Sequence, residues 1–150
     1  MLEFTLNFND YGLKMGILTK LELDYEIDDI EKFLQFFRTM CDRFEPLIIK
    51  LGSDSVRYKE AIKELETLAH NTAWAARRLN LEEVTDFCVF CEEMMAQANR
   101  FNGPASDEFT DWMLLMSDQF EKYCRSYEND DSVLAVFNPL IVNVPNIISK

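Results

Sequence analysis

The chain has 150 residues, 48% of them hydrophobic, which is enough apolar matter for one packed core and leaves no room for a second domain of ordinary size. Its net charge of −12 repels nucleic-acid phosphates and anionic lipid, and no apolar run reaches the roughly 20 residues that span a bilayer. No basic-then-apolar segment opens the chain, so the expectation is a cytoplasmic protein that binds other proteins through a basic or locally basic surface, with no nucleic acid and no membrane insertion.

At the N-terminus, Leu2, Phe4, Leu6 and Phe8 alternate with polar residues, and Ile17, Thr19, Leu21 and Leu23 do so more loosely. Period-two patterning predicts an extended segment over residues 1–24, or a hairpin that turns between Asn9 and Gly16. A helical period then takes over. Ile27, Ile30, Phe33, Leu34, Phe37, Cys41, Phe44, Ile48 and Leu51 recur at three-and-four spacing, acidic residues fill the first turn, and Gly52 follows as a stop. Pro46 falls inside this pattern and is expected to kink it.

A second helix is expected over residues 56–79, with Tyr58, Ala61, Ile62, Leu65, Leu68, Ala69, Thr72, Ala76 and Leu79 on one apolar stripe. Asn80 is the expected N-cap of a third, with Glu83 closing a capping box and Leu79 and Val84 as a hydrophobic staple. That helix buries Val84, Phe87, Cys88, Cys91, Met95, Ala98 and Phe101, and Asn102-Gly103-Pro104 ends it. A fourth starts near Ser106 and buries Phe109, Trp112, Met113, Met116, Phe120, Tyr123 and Tyr127. Beyond it, Leu140, Val142 and Val144 between Pro139 and Pro145 predict another extended stretch. The expected fold class is all-α: an antiparallel up-down four-helix bundle over residues 25–128, with short extended segments at the N- and C-termini, residues 1–24 and 129–150.

Four cysteines occupy helical, core-like positions: Cys41, Cys88, Cys91 and Cys124. Cys88 and Cys91 form a C-x-x-C pair, but within a helix and with no second pair or nearby histidine to complete a zinc site, so reduced core thiols are expected. No inward-facing Glu-x-x-His pair exists to hold a metal, and no cofactor is expected.

His70 is the only histidine, and it lies about 140° from the centre of the second helix's apolar stripe, facing solvent. Lys59, Lys63 and Arg77 lie within about 20° of it on the same face, a local basic stripe in an acidic chain. An imidazole on a rigid helix, reachable by another protein's active site, is what a phosphoryl-accepting histidine requires.

An exposed histidine halfway along the second helix of such a bundle resembles the histidine phosphotransfer (HPt) domain family, including the first domain of chemotaxis histidine kinases. Residues 65–79, Leu-Glu-Thr-Leu-Ala-His-Asn-Thr-Ala-Trp-Ala-Ala-Arg-Arg-Leu, carry the resemblance, and residues 103–112, Gly-Pro-Ala-Ser-Asp-Glu-Phe-Thr-Asp-Trp, are similar to a motif of the stand-alone epsilonproteobacterial form. The resemblance implies a chemotaxis or two-component phosphorelay, with His70 as phosphoacceptor and a receiver domain or histidine kinase as partner. In that family a lysine stands three residues after the histidine and a small residue four after it. Here those positions hold Ala73 and Trp74.

Losing that lysine removes a charge-assisted contact of roughly 1.5–3 kcal/mol, for which Lys63 or Arg77 is the expected substitute. Two functions follow. In a relay, His70 Nε2 attacks phosphorus, Glu66 one turn earlier holds Nδ1, and the domain itself is no enzyme, since kinase and receiver supply the catalysis. In a degenerate, adaptor form, Trp74, Thr67 and the basic stripe dock a receiver or kinase without phosphotransfer.

Overall fold

The computed structural model describes residues 15–149. The alternating Leu2, Phe4, Leu6 and Phe8 and most of the expected hairpin lie outside the described residues. Among the described residues the fold is all-α: α1 (Ile17–Asp24), α2 (Ile27–Leu51), α3 (Ser55–Arg78), α4 (Glu82–Ala98) and α5 (Asp107–Glu128), followed by a 3-10 turn at Pro139–Val142. The one β-type pairing among them is an isolated bridge between Ala105 and Ile148. No described helix is long and apolar enough to cross a membrane.

α3 packs against both α2 and α4, and α2 also packs against α5. α4 meets α5 through aromatic rings: Phe87 stacks on Phe120 with centroids 4.0 Å apart, and Phe90 stands edge-on to Trp112 at 6.1 Å. The shared core is aromatic at its centre. Phe33 and Phe37 of α2 pack edge-to-face, Phe120 lies against both Phe37 and Phe44, and all four are fully buried. α2 runs through Pro46 as one helix and ends at Gly52.

Helix boundaries follow local chemistry. The Asp54 carboxylate accepts the Arg57 N–H at 2.9 Å to start α3, and the Ser106 hydroxyl accepts the Phe109 N–H at 3.0 Å to start α5. The expectation for Asn80 is corrected: it ends α3 rather than starting α4. With φ at 56° it adopts the left-handed conformation, while Leu81 N–H donates to Ala76 O and its own N–H to Arg77 O at 3.1 and 3.0 Å. This is a Schellman closure, and asparagine tolerates it because its short polar side chain relieves the left-handed penalty. Leu81 then precedes the first residue of α4. Asp130 closes α5 the same way, with φ at 52° and the Asp131 N–H donating to Ser126 O at 2.9 Å.

Both expected extended ends are corrected as well. Residues 17–24 form helix α1, which buries Leu21 and packs Ile17, Leu18 and the following Tyr25 against the core. Its capping carboxylate comes from Asp130, which accepts the Thr19 N–H at 2.9 Å and the Thr19 hydroxyl. Gly16 is required there, since a Cβ would lie 1.9 Å from Asp130 Oδ1. At the other end, Pro139–Val142 coils into a 3-10 turn whose first N–H groups are capped by Asn138, so that Ile141 is buried while Leu140, Val142 and Val144 face out. Gln119 holds this segment by donating to Val136 O and accepting the Asn138 N–H, and Trp112 Nε1 donates to Ile141 O at 2.7 Å.

All four cysteines are free thiols. Burial pushes Cys91 up to about 12 and Cys88 well above the usual range, so the C-x-x-C pair stays protonated and inert at neutral pH.

Two outcomes test this packing. Leu65 is fully buried on α3, so Leu65→Ala is expected to cost about 2–5 kcal/mol in denaturant unfolding; a loss below about 1 kcal/mol would place it outside the core. The Thr19 hydrogen bonds hold the Asp130 carboxyl below its ordinary value, as Arg38 does for Glu128. Carboxylates depressed on folding stabilise above their unfolded pKa of about 4 and lose that contribution as pH falls through the folded value. Stability should therefore drop between pH 5 and pH 2, as estimated from those limits, and less so in Asp130→Asn. An equal drop in variant and wild type would remove Asp130 from the acid response.

Candidate functional site

The solvent-facing residues of α3 recur as Glu60, Lys63, Thr67, His70, Trp74 and Arg77, the strip left between two packed neighbours. His70 is at its centre with its side chain 65% exposed, in agreement with its angle from the apolar stripe. Its Nδ1–H donates to Glu92 Oε2 of α4 at 2.9 Å. An ionised carboxylate only accepts, so this bond places the proton on Nδ1 and leaves the Nε2 lone pair directed outward. The expected partner was Glu66. It lines the same groove, but the carboxylate that reaches the ring comes from the neighbouring helix instead. Nothing in the spacing within α3 points to Glu92; its register against His70 depends on how α3 and α4 pack.

A groove of about 540 Å³ runs beside the imidazole between α3 and α4, lined by Glu66, His70, Ala73, Arg77, Glu92 and Glu93 among others. Ala73, at the position where the resemblance expects a lysine on the docking surface, is only 2% exposed and forms part of the groove floor, where its small side chain suits close packing of α3 and α4. Three carboxylates and one guanidinium therefore surround the histidine.

The basic stripe is less concentrated than its angle implies. Lys63 and Arg77 each stand seven residues from His70, about 10 Å along the axis, and Lys59 stands about 16 Å away. Lys59 is half-buried and its Nζ donates to the Asn99 carbonyl, which turns it toward the end of α4. Thr67 is exposed, with its hydroxyl bonded back to Lys63 O at 3.0 Å. Lys63 and Arg77 have no ion-pair partner among the described residues.

Trp74 is 42% exposed and stands on the α2 flank of the strip. Lys32 Nζ of α2 lies 5.5 Å from its ring centroid and the Arg78 guanidinium 5.2 Å, so the indole is held between two cations. It leans away from the groove, which leaves the imidazole accessible. Lys32 and Arg78 were not anticipated from sequence; only Arg78, four residues on from Trp74, carried a local signal.

Because His70 is so exposed, His70→Gln should change the unfolding free energy by no more than about 0.5 kcal/mol. A loss above about 2 kcal/mol would make it a structural histidine. Compared with protein-family models, with curated proteins and with solved structures, the chain matches none of them.

Proposed function

We propose that residues 25–128 form an antiparallel up-down four-helix bundle of the histidine phosphotransfer kind, in which His70 accepts a phosphoryl group from a histidine kinase and passes it to a receiver domain, or the reverse. The observation that carries this reading is the pairing of a 65% exposed imidazole with a carboxylate on Nδ1 at 2.9 Å. Glu92 fixes the tautomer and faces the positive charge that develops on the ring as the N–P bond forms. The domain contributes a positioned nucleophile. Metal, acid catalysis and leaving-group stabilisation belong to the partner protein, so the chain alone is a phosphoacceptor rather than an enzyme.

A second reading rests on Trp74 and the groove. With three carboxylates and one guanidinium around His70, a bound phosphoryl group receives little positive charge from this chain, whereas Trp74 presents an aromatic anchor with Lys32 and Arg78 over its ring and Lys63 and Arg77 farther along the same strip. Such a surface fits the acidic face of a receiver or kinase, and the protein then acts as an adaptor without phosphotransfer.

One experiment separates the two. The chain is incubated with an autophosphorylated kinase, and separately with a receiver charged by acetyl phosphate, and the label on it is tested for acid lability and base stability. A relay gives such label, lost entirely in His70→Gln and slowed on the order of 10–100-fold in Glu92→Gln, as expected for removal of a charge-assisted hydrogen bond. Absence of label in wild type, combined with capture of the partner that weakens about 30-fold or more in Trp74→Ala, establishes the adaptor instead.

A further inference from the structure

On the α2–α5 side, away from the His70 groove, Cys41 of α2 lies beside Glu121 and Cys124 of α5. The two sulfurs and a Glu121 carboxylate oxygen all lie within 4.8 Å of one another. We infer that Cys41, Cys124 and Glu121 form a zinc site that joins α2 to α5.

The donor set is the one zinc selects: two thiolates and a carboxylate, with softness enough to exclude magnesium and calcium. Around a tetrahedral zinc with Zn–S near 2.3 Å, neighbouring donor atoms stand roughly 3.3–3.8 Å apart, so side-chain rotation of less than about 1 Å closes the set. Coordination forms two Zn–S bonds and breaks two S–H bonds, and both protons leave to solvent. Cys124 is fully buried and rigidly placed, while Cys41 is half-buried and borders an open groove of about 270 Å³ that also touches Asp42, Glu45, Ser117 and Asp118. Through that groove an ion enters and a water takes the fourth position. Its lining is acidic, which favours a dication.

Arg38 completes the arrangement from outside. Its Nη1 and Nη2 donate to the two Glu121 oxygens at 3.0 and 2.9 Å, and its Nε and Nη2 donate to Glu128 at 3.0 and 2.6 Å. A carboxylate oxygen has two lone pairs, so Glu121 ligates the metal while it remains held by Arg38. That is the outer-shell support that orients ligating carboxylates. The charges of Arg38 and of Arg125, whose Nε lies 3.7 Å from a Glu121 oxygen, oppose the ion, but the three carboxylates bonded to Arg38, those of Asp42, Glu121 and Glu128, outnumber them. Cys88 and Cys91 make no such set, since both lie buried on one helix without a third ligand among the described residues.

The test uses the full chain, reduced with a phosphine and titrated with cobalt(II), then with zinc against a chromophoric chelator. One equivalent of cobalt should give thiolate-to-cobalt charge-transfer absorption and the visible bands of tetrahedral coordination, and zinc should displace it. Cys41→Ser, at the half-buried position, should lower zinc affinity at least about tenfold, with Glu121→Gln in the same direction and Cys88→Ala without effect. Zinc should also slow alkylation of Cys41 by iodoacetamide about tenfold or more. Wild-type protein without cobalt–thiolate absorption, or Cys41→Ser with unchanged zinc affinity and a native helical spectrum, overturns the site. Should Cys124→Ser fail to fold, the Cys41 alkylation rate with and without zinc decides in the wild-type chain.

Discussion

α3 is clamped between α2 and α4, and everything this helix does follows from that double burial. Ala61, Ala69, Ala73 and Ala76 are all buried on it, and small side chains there let two neighbouring helices approach at once. What remains for solvent along the middle of the helix is a narrow strip, advancing by threes and fours through Lys63, Thr67, His70, Trp74 and Arg77. A histidine on such a strip is exposed yet flanked by other helices on both sides. Glu92 on one flank orients the imidazole, and Lys32 on the other draws the indole of Trp74 aside.

The ends of the helices hold this clamp in register. Tyr58, at the start of α3, donates its hydroxyl to Ala98 O at 2.6 Å where α4 finishes, and its ring packs so close to Gly103 that a Cβ there would come within 2.5 Å. Gly103 has φ at 76°, so both the space and the backbone conformation demand glycine. Immediately after it, Ser106 caps α5 and also donates to Asn146 O at 2.6 Å, and Trp112 grips Ile141. The segment from Gly103 to Trp112 thus ties α3, α4, α5 and the C-terminal segment together. Its residues are structural, and they act on His70 only through the register they impose on α3 and α4.

Electrostatics divides the surface. Arg38, Arg43, Arg57, Arg78 and Arg125 are each paired with carboxylates, Arg38 with three of them, so most of the arginine charge of an acidic chain is neutralised locally. These exposed and half-exposed pairs add little stability individually, on the order of 0–1 kcal/mol. Their larger effect is on what is left over: Lys63 and Arg77 stand unpaired among the described residues on the α3 strip, while the groove beside them is carboxylate-lined. On the proposed reading, a phosphoryl group there would depend on its partner for positive charge, and an acidic protein would meet the strip more readily than the groove.

The sequence by itself determined the four long helices and the outward face of His70, because burial on a regular helix imposes a three-and-four period that composition cannot disguise. It also marked the stop at Gly52 and the start of a helix near Ser106, where the interacting groups lie within a few residues, though not the capping side chain of Asp54. Contacts between distant segments left no such trace. The loose alternation of residues 17–24 looked like a strand, yet those residues are helical because Asp130, 111 positions away from Thr19, satisfies the first N–H groups. Asn80 fitted an N-cap by type, and only the left-handed backbone forced by the turn between α3 and α4 made it a C-terminal closure. Tertiary structure alone decided that Glu92 rather than Glu66 holds the imidazole, that Ala73 lies on the groove floor, and that Cys41 meets Cys124, since each depends on the relative rotation of two packed helices. Periodicity fixes which face of a helix turns inward; the interlocking of side chains across the interface fixes which residue meets which.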